Sequence, residues 1–283
     1  MKNPCVILGA VALIASAAAA QAADVDRSGG PFVPTPPTVV EAMLKLANVG
    51  PHDHVVDLGS GDGRIVLAAA TRYKASGTGI EIDGELVDQS NAAAKKRGVA
   101  ERVRFVRQDV READLSRATV LTLYLLPGMM TTLMNKVLAE LRPGSRVVSH
   151  DFHFENWKPD RTVTVETQEK YDITGNWTSE VHLWIVPAQV QGKWRGKLAG
   201  GKADEFDLEI RQGIQVFDGR IVRNGQATGL KDGRISGPQV SFTAAGADGR
   251  RERYSATVRG GQMTGEVRSG EMVIARWSAA RVP

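Results

Sequence analysis

Val55-Val56-Asp57-Leu58-Gly59-Ser60-Gly61-Asp62-Gly63-Arg64 is an apolar run that ends in an acid and breaks into a glycine-rich turn. Ile65-Val66-Leu67-Ala68-Ala69-Ala70 follows with helical composition, so the segment reads as strand, tight loop, helix. Glycines let a loop backbone approach a ligand closely, and the start of the next helix offers free N–H groups. A dinucleotide fingerprint places glycines first, third and sixth. Gly59 and Gly61 fit, but the sixth position is Arg64 and the third glycine comes one residue early, at Gly63.

The alternation continues on both sides of this loop. Pro31-Phe32-Val33-Pro34-Thr35-Pro36-Pro37 favours extended backbone, after which Thr35 can cap a helix running to about Asn48. Strands are expected at His54–Leu58, Gly77–Ile82, Val103–Val106, Thr119–Leu125 and Arg146–Ser149. Helices are expected at about Gly63–Tyr73, Leu86–Arg97 and Met129–Leu141. This rhythm predicts an α/β domain with a parallel sheet covered on both faces. Thr162–Val165 and Glu180–Val186 read as two further strands with no full helix between them.

From Gln191 the composition changes. About half of the chain's 30 glycines fall in this last third, among short alternating runs separated by Asp218-Gly219, Asn224-Gly225, Asp232-Gly233 and Asp248-Gly249. That pattern predicts a small all-β antiparallel domain. Gly192-Lys193-Trp194 resembles the G-x-W start of lipocalin-like barrels. At the other end, Lys2, an apolar stretch from Val6 to Ala20 and Ala20-Gln21-Ala22 predict a secretory signal peptide. The expected organisation is therefore a signal at 1–22, a linker at 23–30, the α/β domain at 31–188 and the β domain at 189–283. Export to the periplasm is the expected localisation, with an uncleaved membrane anchor as the alternative.

The only cysteine, Cys5, lies inside the signal, which excludes disulfide and thiol chemistry from a mature chain. The net charge of +4 is uneven, with the basic excess concentrated after Gln189. That excess suits a solvated face or contact with an anionic surface. Aromatics are not interleaved with it, so no nucleic-acid partner is expected. His150 and His153 lack a third histidine nearby, and no metal site is expected.

The Asp-Leu-Gly-Ser-Gly-Asp-Gly form resembles the first motif of class I S-adenosylmethionine (SAM) methyltransferases. The resemblance implies a Rossmann-like sheet closed by an antiparallel hairpin, with SAM as methyl donor. Gly59, Gly61 and Gly63 would admit the donor's methionine and ribose portions, and Asp57 its ammonium group. Glu81, at the end of the second strand, would accept the ribose hydroxyls. Asp109 would meet the adenine amino group, with Ile82 and Val110 sandwiching the ring. A nicotinamide-dependent oxidoreductase is disfavoured by the glycine register.

A narrower resemblance rests on Phe32-Val33-Pro34-Thr35-Pro36, the glycine loop, Leu123-Tyr124-Leu125-Leu126-Pro127, Arg146-Val147-Val148-Ser149-His150-Asp151-Phe152 and Trp157-Lys158-Pro159. In that order they look like a bacterial branch of the protein-lysine methyltransferases related to the enzyme that modifies the ATP-synthase c-ring protein. The similarity spans about Pro31 to Val186 and leaves the β domain out. It implies a protein lysine as acceptor. Tyr124, His150 and Asp151, at the ends of the fourth and fifth strands, are expected around the methyl group, with Asp151 or His150 taking a proton and Tyr124 orienting the amine. The alternatives are a small-molecule acceptor or an exported binding protein that keeps a methyltransferase-like domain without turnover.

Overall fold

The computed structural model describes residues 28–199, 204–246 and 248–283. The expected signal peptide and most of the expected linker lie outside them. The first domain is built from α1 (Pro37–Leu46), β1 (His54–Leu58), α2 (Arg64–Tyr73), β2 (Ser76–Glu81), α3 (Gly84–Lys96), β3 (Val103–Arg107), β4 (Val120–Leu123), α4 (Pro127–Glu140), β5 (Arg146–His150), β6 (Arg161–Glu166), α5 (Gln168–Thr174) and β7 (Thr178–Ile185). Its sheet has the order β3-β2-β1-β4-β5-β7-β6, parallel except for β7. The chain reverses direction across this sheet between β1 and β4, the switch point at which open α/β sheets form a crevice.

Central strands β1 and β4 are buried along nearly their whole length, as a sheet covered on both faces requires. One apolar cluster, with Leu58, Leu121, Leu123, Met130, Leu133, Trp157 and Trp184, packs α4 against one face. Another, with Val39, Met43, Leu44, Val55, Ile65 and Val148, packs α1 and α2 against the other. Asp83 caps α3 by accepting from the Glu85 amide at 3.0 Å. Thr35 does not cap α1. Pro36 holds that position without a side-chain cap, because the consecutive prolines keep the chain extended to the helix start. The Thr35 hydroxyl instead lies 3.3 Å from His150 Nδ1.

The second domain comprises β8 (Gly192–Ala199), β9 (Asp204–Gln212), β10 (Val216–Arg223), β11 (Gln226–Gly229), β12 (Lys231–Ser236), β13 (Gln239–Ala245), β14 (Arg251–Arg259), β15 (Gln262–Ser269) and β16 (Met272–Arg281). Each strand pairs antiparallel with the next, apart from β11 and β12, which are one strand interrupted at Leu230. Pairing of β16 with β8 closes the described residues into an eight-stranded barrel. Its interior is packed rather than hollow, around Trp194, Phe242, Tyr254 and Trp277. Arg281, on the last strand, lies 4.5 Å over the Trp194 ring and donates to the Gln189 and Gln191 carbonyls. The β12–β13 turn joins the two domains: Gly237, at φ +56°, faces Ile185 and Gly144 and accepts from the Ala188 amide at 2.8 Å.

Candidate active site

At the end of β1 the chain turns through Gly59, Gly61 and Gly63, with φ of +74°, +53° and +75°. The Gly59 and Ser60 amides both donate to the Ile80 carbonyl, which pins the loop to β2. A Cβ on Gly61 would stand 2.3 Å from the Phe32 ring, and one on Gly63 would stand 2.6 Å from Phe105. Conformation and space together therefore demand glycine. Over this loop, at the C-terminal edge of the parallel strands, opens a cleft.

The cleft gathers most of the expected donor-site residues: Asp57, Gly59, Glu81, Ile82, Asp109 and Val110 all line it. Asp57 is 2% exposed, and burial pushes its carboxyl up to about 7 against the hydrogen bond from Thr122 at 2.7 Å. Glu81 accepts from the amides of Gly61 (2.8 Å), Ile82 (2.8 Å) and Asp83 (3.0 Å). One carboxylate thus orders the glycine loop and the β2–α3 turn together, and retains acceptor capacity toward the cleft. Asp109 accepts from the Arg111 amide at 2.8 Å and its guanidinium at 3.0 Å, and this arginine holds the carboxyl below the usual range. A contact between Asp109 and an adenine amino group would share the carboxylate with Arg111. Gly61 and Gly63 shape the loop from beneath without lining the cleft.

The three residues expected around the methyl group separate. Tyr124 lines the cleft. Burial, and then the nearby Asp151 charge, push its phenol up to about 12, so it stays protonated. His150 lies behind it, 1% exposed, with ring centroids 3.9 Å apart. Its Nε2 is 2.8 Å from Ser179 Oγ, and burial pushes its pKa down to about 4. The imidazole is therefore neutral at physiological pH and walled off from the cleft. Asp151, in the left-handed region at φ +60°, pairs with the buried Lys170 ammonium at 2.7 Å and accepts from the Glu180 amide. Neither His150 nor Asp151 lines the cleft.

Four contributors were not expected from the sequence. Ser28, Gly29 and Gly30, assigned to a linker, form with Phe32 and Pro34 a strap along the cleft. Leu126 donates to the Gly29 carbonyl at 3.0 Å and Arg64 to the Thr35 carbonyl at 2.8 Å, so the strap is held at both ends. Arg64 itself forks onto Asp62. Ser60 lines the cleft, while its Oγ is buried against Gly79 without a hydrogen-bond partner among the described residues. Lys170 fixes the fifth-strand corner from outside. The prolines of the strap were the available signal. They mark extended chain without saying what it lies against.

These residues fit SAM. The cleft is lined by apolar side chains with a few polar groups among them, as small-molecule sites are. A buried acid at one end matches an ammonium, a loop-anchored carboxylate matches a ribose, and the apolar side chains of Ile82 and Val110 line the wall between.

Comparison with known proteins agrees. The family model described as the ANTKMT methyltransferase domain matches residues 57–161. A protein-lysine N-methyltransferase of Saccharolobus islandicus is 40% identical over 157 residues, 55% of this chain and 93% of that protein. The adenine nucleotide translocase lysine N-methyltransferase of Mus musculus is 34% identical over 148 residues, 52% of this chain and 64% of that protein. Among solved structures, one described as an RNA methyltransferase from Salinibacter ruber, in complex with S-adenosylhomocysteine, is 47% identical with a TM-score of 0.50. It covers 56% of this chain, and 96% of its own length is matched. The barrel lies outside the residues that the family model matches.

Proposed function

The chain belongs to the SAM-dependent methyltransferases, and from that premise we propose that its acceptor is a lysine amine of a protein. The observation that carries this reading is the 40% identity over 157 residues with a protein-lysine N-methyltransferase. Asp57, Asp62, Glu81, Asp83 and Asp109 line the cleft against only Arg64 and Arg111, and both arginines are already paired with acids of the same wall. Such a cleft suits the cationic donor.

The donor, when bound, supplies a methyl group on a sulfonium, an electrophile with its leaving group built in. The chain's residues have then to hold the donor, align the amine and keep water away. Asp57 and Glu81 hold the two ends of the donor. Tyr124, kept protonated, presents an oxygen that can accept from the incoming amine and set its lone pair in line. His150 is a positioning residue: neutral, held between Thr35 and Ser179, it fixes the face of the Tyr124 ring. Asp151 and Lys170 anchor α5 beside this corner. With neither His150 nor Asp151 in the cleft, the lysine sheds its proton to water before reacting. Tyr171 on α5 and Trp177 just after it, stacked at 4.6 Å and about half exposed, stand at the same edge of the sheet and form an apolar landing surface for the acceptor chain. Export through residues 1–22 remains part of the proposal; amino-terminal sequencing of protein recovered from a periplasmic fraction would test it.

The Salinibacter ruber structure keeps an RNA acceptor as the competing reading. The protein is incubated with methyl-labelled SAM and cell extract, and the product is divided between protease and ribonuclease. Label released by protease and found on lysine is the expected result. Label that resists protease and is released by ribonuclease would replace the lysine reading with the RNA one.

A further inference from the structure

The barrel carries a surface that methyl transfer does not use. Residues 189–283 contain sixteen Lys and Arg against ten Asp and Glu, whereas the rest of the chain has two more acids than bases. Arg234, Arg251, Arg253 and Arg268 converge on one open groove of about 1000 Å³ on the outer face of β12, β14 and β15. Strand register sets Arg253 directly opposite Arg268. Like charges in that relation are destabilising unless an anion lies between them. Asp232 partners Arg251 at 2.6 Å and Glu266 partners Arg268 at 2.7 Å, while Arg234 and Arg253 have no ion pair among the described residues.

Beside this groove the β15–β16 hairpin ends in Met272, Val273 and Ile274, which are 72%, 47% and 48% exposed. Simple strand alternation would bury one of two consecutive residues. Here the register slips: Val267 opposes Ala275 but Arg268 opposes Val273, so Ile274 is the extra residue of a bulge. The bulge turns Val273 and Ile274 to the same exposed side. The apolar tip therefore abuts the arginine row, with Glu271 as its one acid. The apolar tip and Arg251, Arg253 and Arg268 lie at the end of the barrel away from the first domain, with Arg234 nearer to it. Val258, at the far end of β14 from Arg251 and Arg253, meets the Gly237-Pro238 turn that touches Gly144 and Ile185. Those two residues stand at the edge of the first sheet opposite the methyl-transfer cleft.

We infer that this end of the barrel docks on an anionic lipid surface. Met272, Val273 and Ile274 enter the headgroup layer, and Arg234, Arg253 and Arg268 hold lipid phosphates. A lipid surface is favoured over an acidic protein because the apolar residues project from a hairpin end instead of lining a groove, and a projection needs a deformable apolar phase to receive it. Docked this way, the protein turns its methyl-transfer cleft away from the bilayer, toward acceptors in solution.

The test reads the tip itself, so that any lipid affinity of residues 1–22 does not confuse it. Cys5 is the only cysteine, and a full-length Cys5→Ser/Val273→Cys protein carries a single bimane label at the tip. Phosphatidylcholine–phosphatidylglycerol vesicles should shift its emission to the blue, and phosphatidylcholine vesicles should not. A label at Lys95→Cys, exposed on α3, should stay unchanged. Adding Arg253→Glu and Arg268→Glu should weaken the response by about fivefold for each positive charge lost, while labelled-methyl transfer continues at its normal rate. No shift on anionic vesicles, or a shift indifferent to the arginine reversals, would overturn the inference. A shift produced only by soluble polyglutamate would also overturn it and give the surface to an acidic protein partner.

Discussion

Burial pushes the Asp57 carboxyl up to about 7, although Thr122 donates to it and pulls the other way. A group whose folded pKa lies above its unfolded value holds its proton more tightly when folded, so the ligand-free fold loses stability as pH rises from about 4 through about 7. Asp57→Asn should remove that loss, which is on the order of 4 kcal/mol of stability at full ionisation, and so raise the melting temperature above pH 7. The same change should weaken SAM binding by about 10- to 100-fold in calorimetric titration, because the ammonium loses its anion. Wild-type affinity should fall as pH drops below about 7, and the variant should not show that fall. Tyr124 gives a second prediction. Tyr124→Phe should lower kcat by about tenfold to a hundredfold with SAM affinity unchanged. With SAM saturating, kcat/KM should rise from about pH 7 toward the lysine pKa, without the inflection near 6.5 that an imidazole base would add, since His150 is neutral down to about 4.

The strand–loop–helix unit around Gly61 shows which elements a sequence discloses. Its strand, three left-handed glycines and buried acid are contiguous, and each is demanded by local backbone geometry, so the donor half of the site was legible. Gly61→Ala should abolish SAM binding, because the left-handed backbone and the Phe32 ring both oppose a methyl group there. A retained circular-dichroism spectrum would show that the fold survives. The acceptor half was less legible. His150 and Asp151 stand at a strand end, as expected, but their orientation is decided by Ser179 and Lys170, which reach them from later elements. Nothing within the local run announces those partners. The strap is a similar case, since prolines state that the chain is extended and not that it crosses a cleft. For α5, Tyr171→Ala with Trp177→Ala should raise the KM for a protein acceptor several-fold and leave the SAM dissociation constant alone, as read in steady-state assays.

At the scale of the whole molecule, the two domains meet at the β12–β13 turn and at Ile214, which packs on the core of the first domain. The barrel was readable because its turn dipeptides and alternating runs recur at short intervals. Its closure was not, since the pairing of β8 with β16 joins segments from opposite ends of the domain. Trp194 sits at the start of that closure under Arg281, so Trp194→Ala should cost about 3–5 kcal/mol in denaturant unfolding of the barrel. SAM affinity should survive, because no barrel residue lines the cleft. A crystal structure with S-adenosylhomocysteine and a lysine-containing acceptor peptide tests the central claim most directly. Ribose hydroxyls on Glu81, adenine between Ile82 and Val110, and the lysine nitrogen beside the Tyr124 oxygen are the expected result. A nucleoside bound away from Glu81, or a lysine entering on a side of the cleft that Tyr124 does not reach, would contradict it.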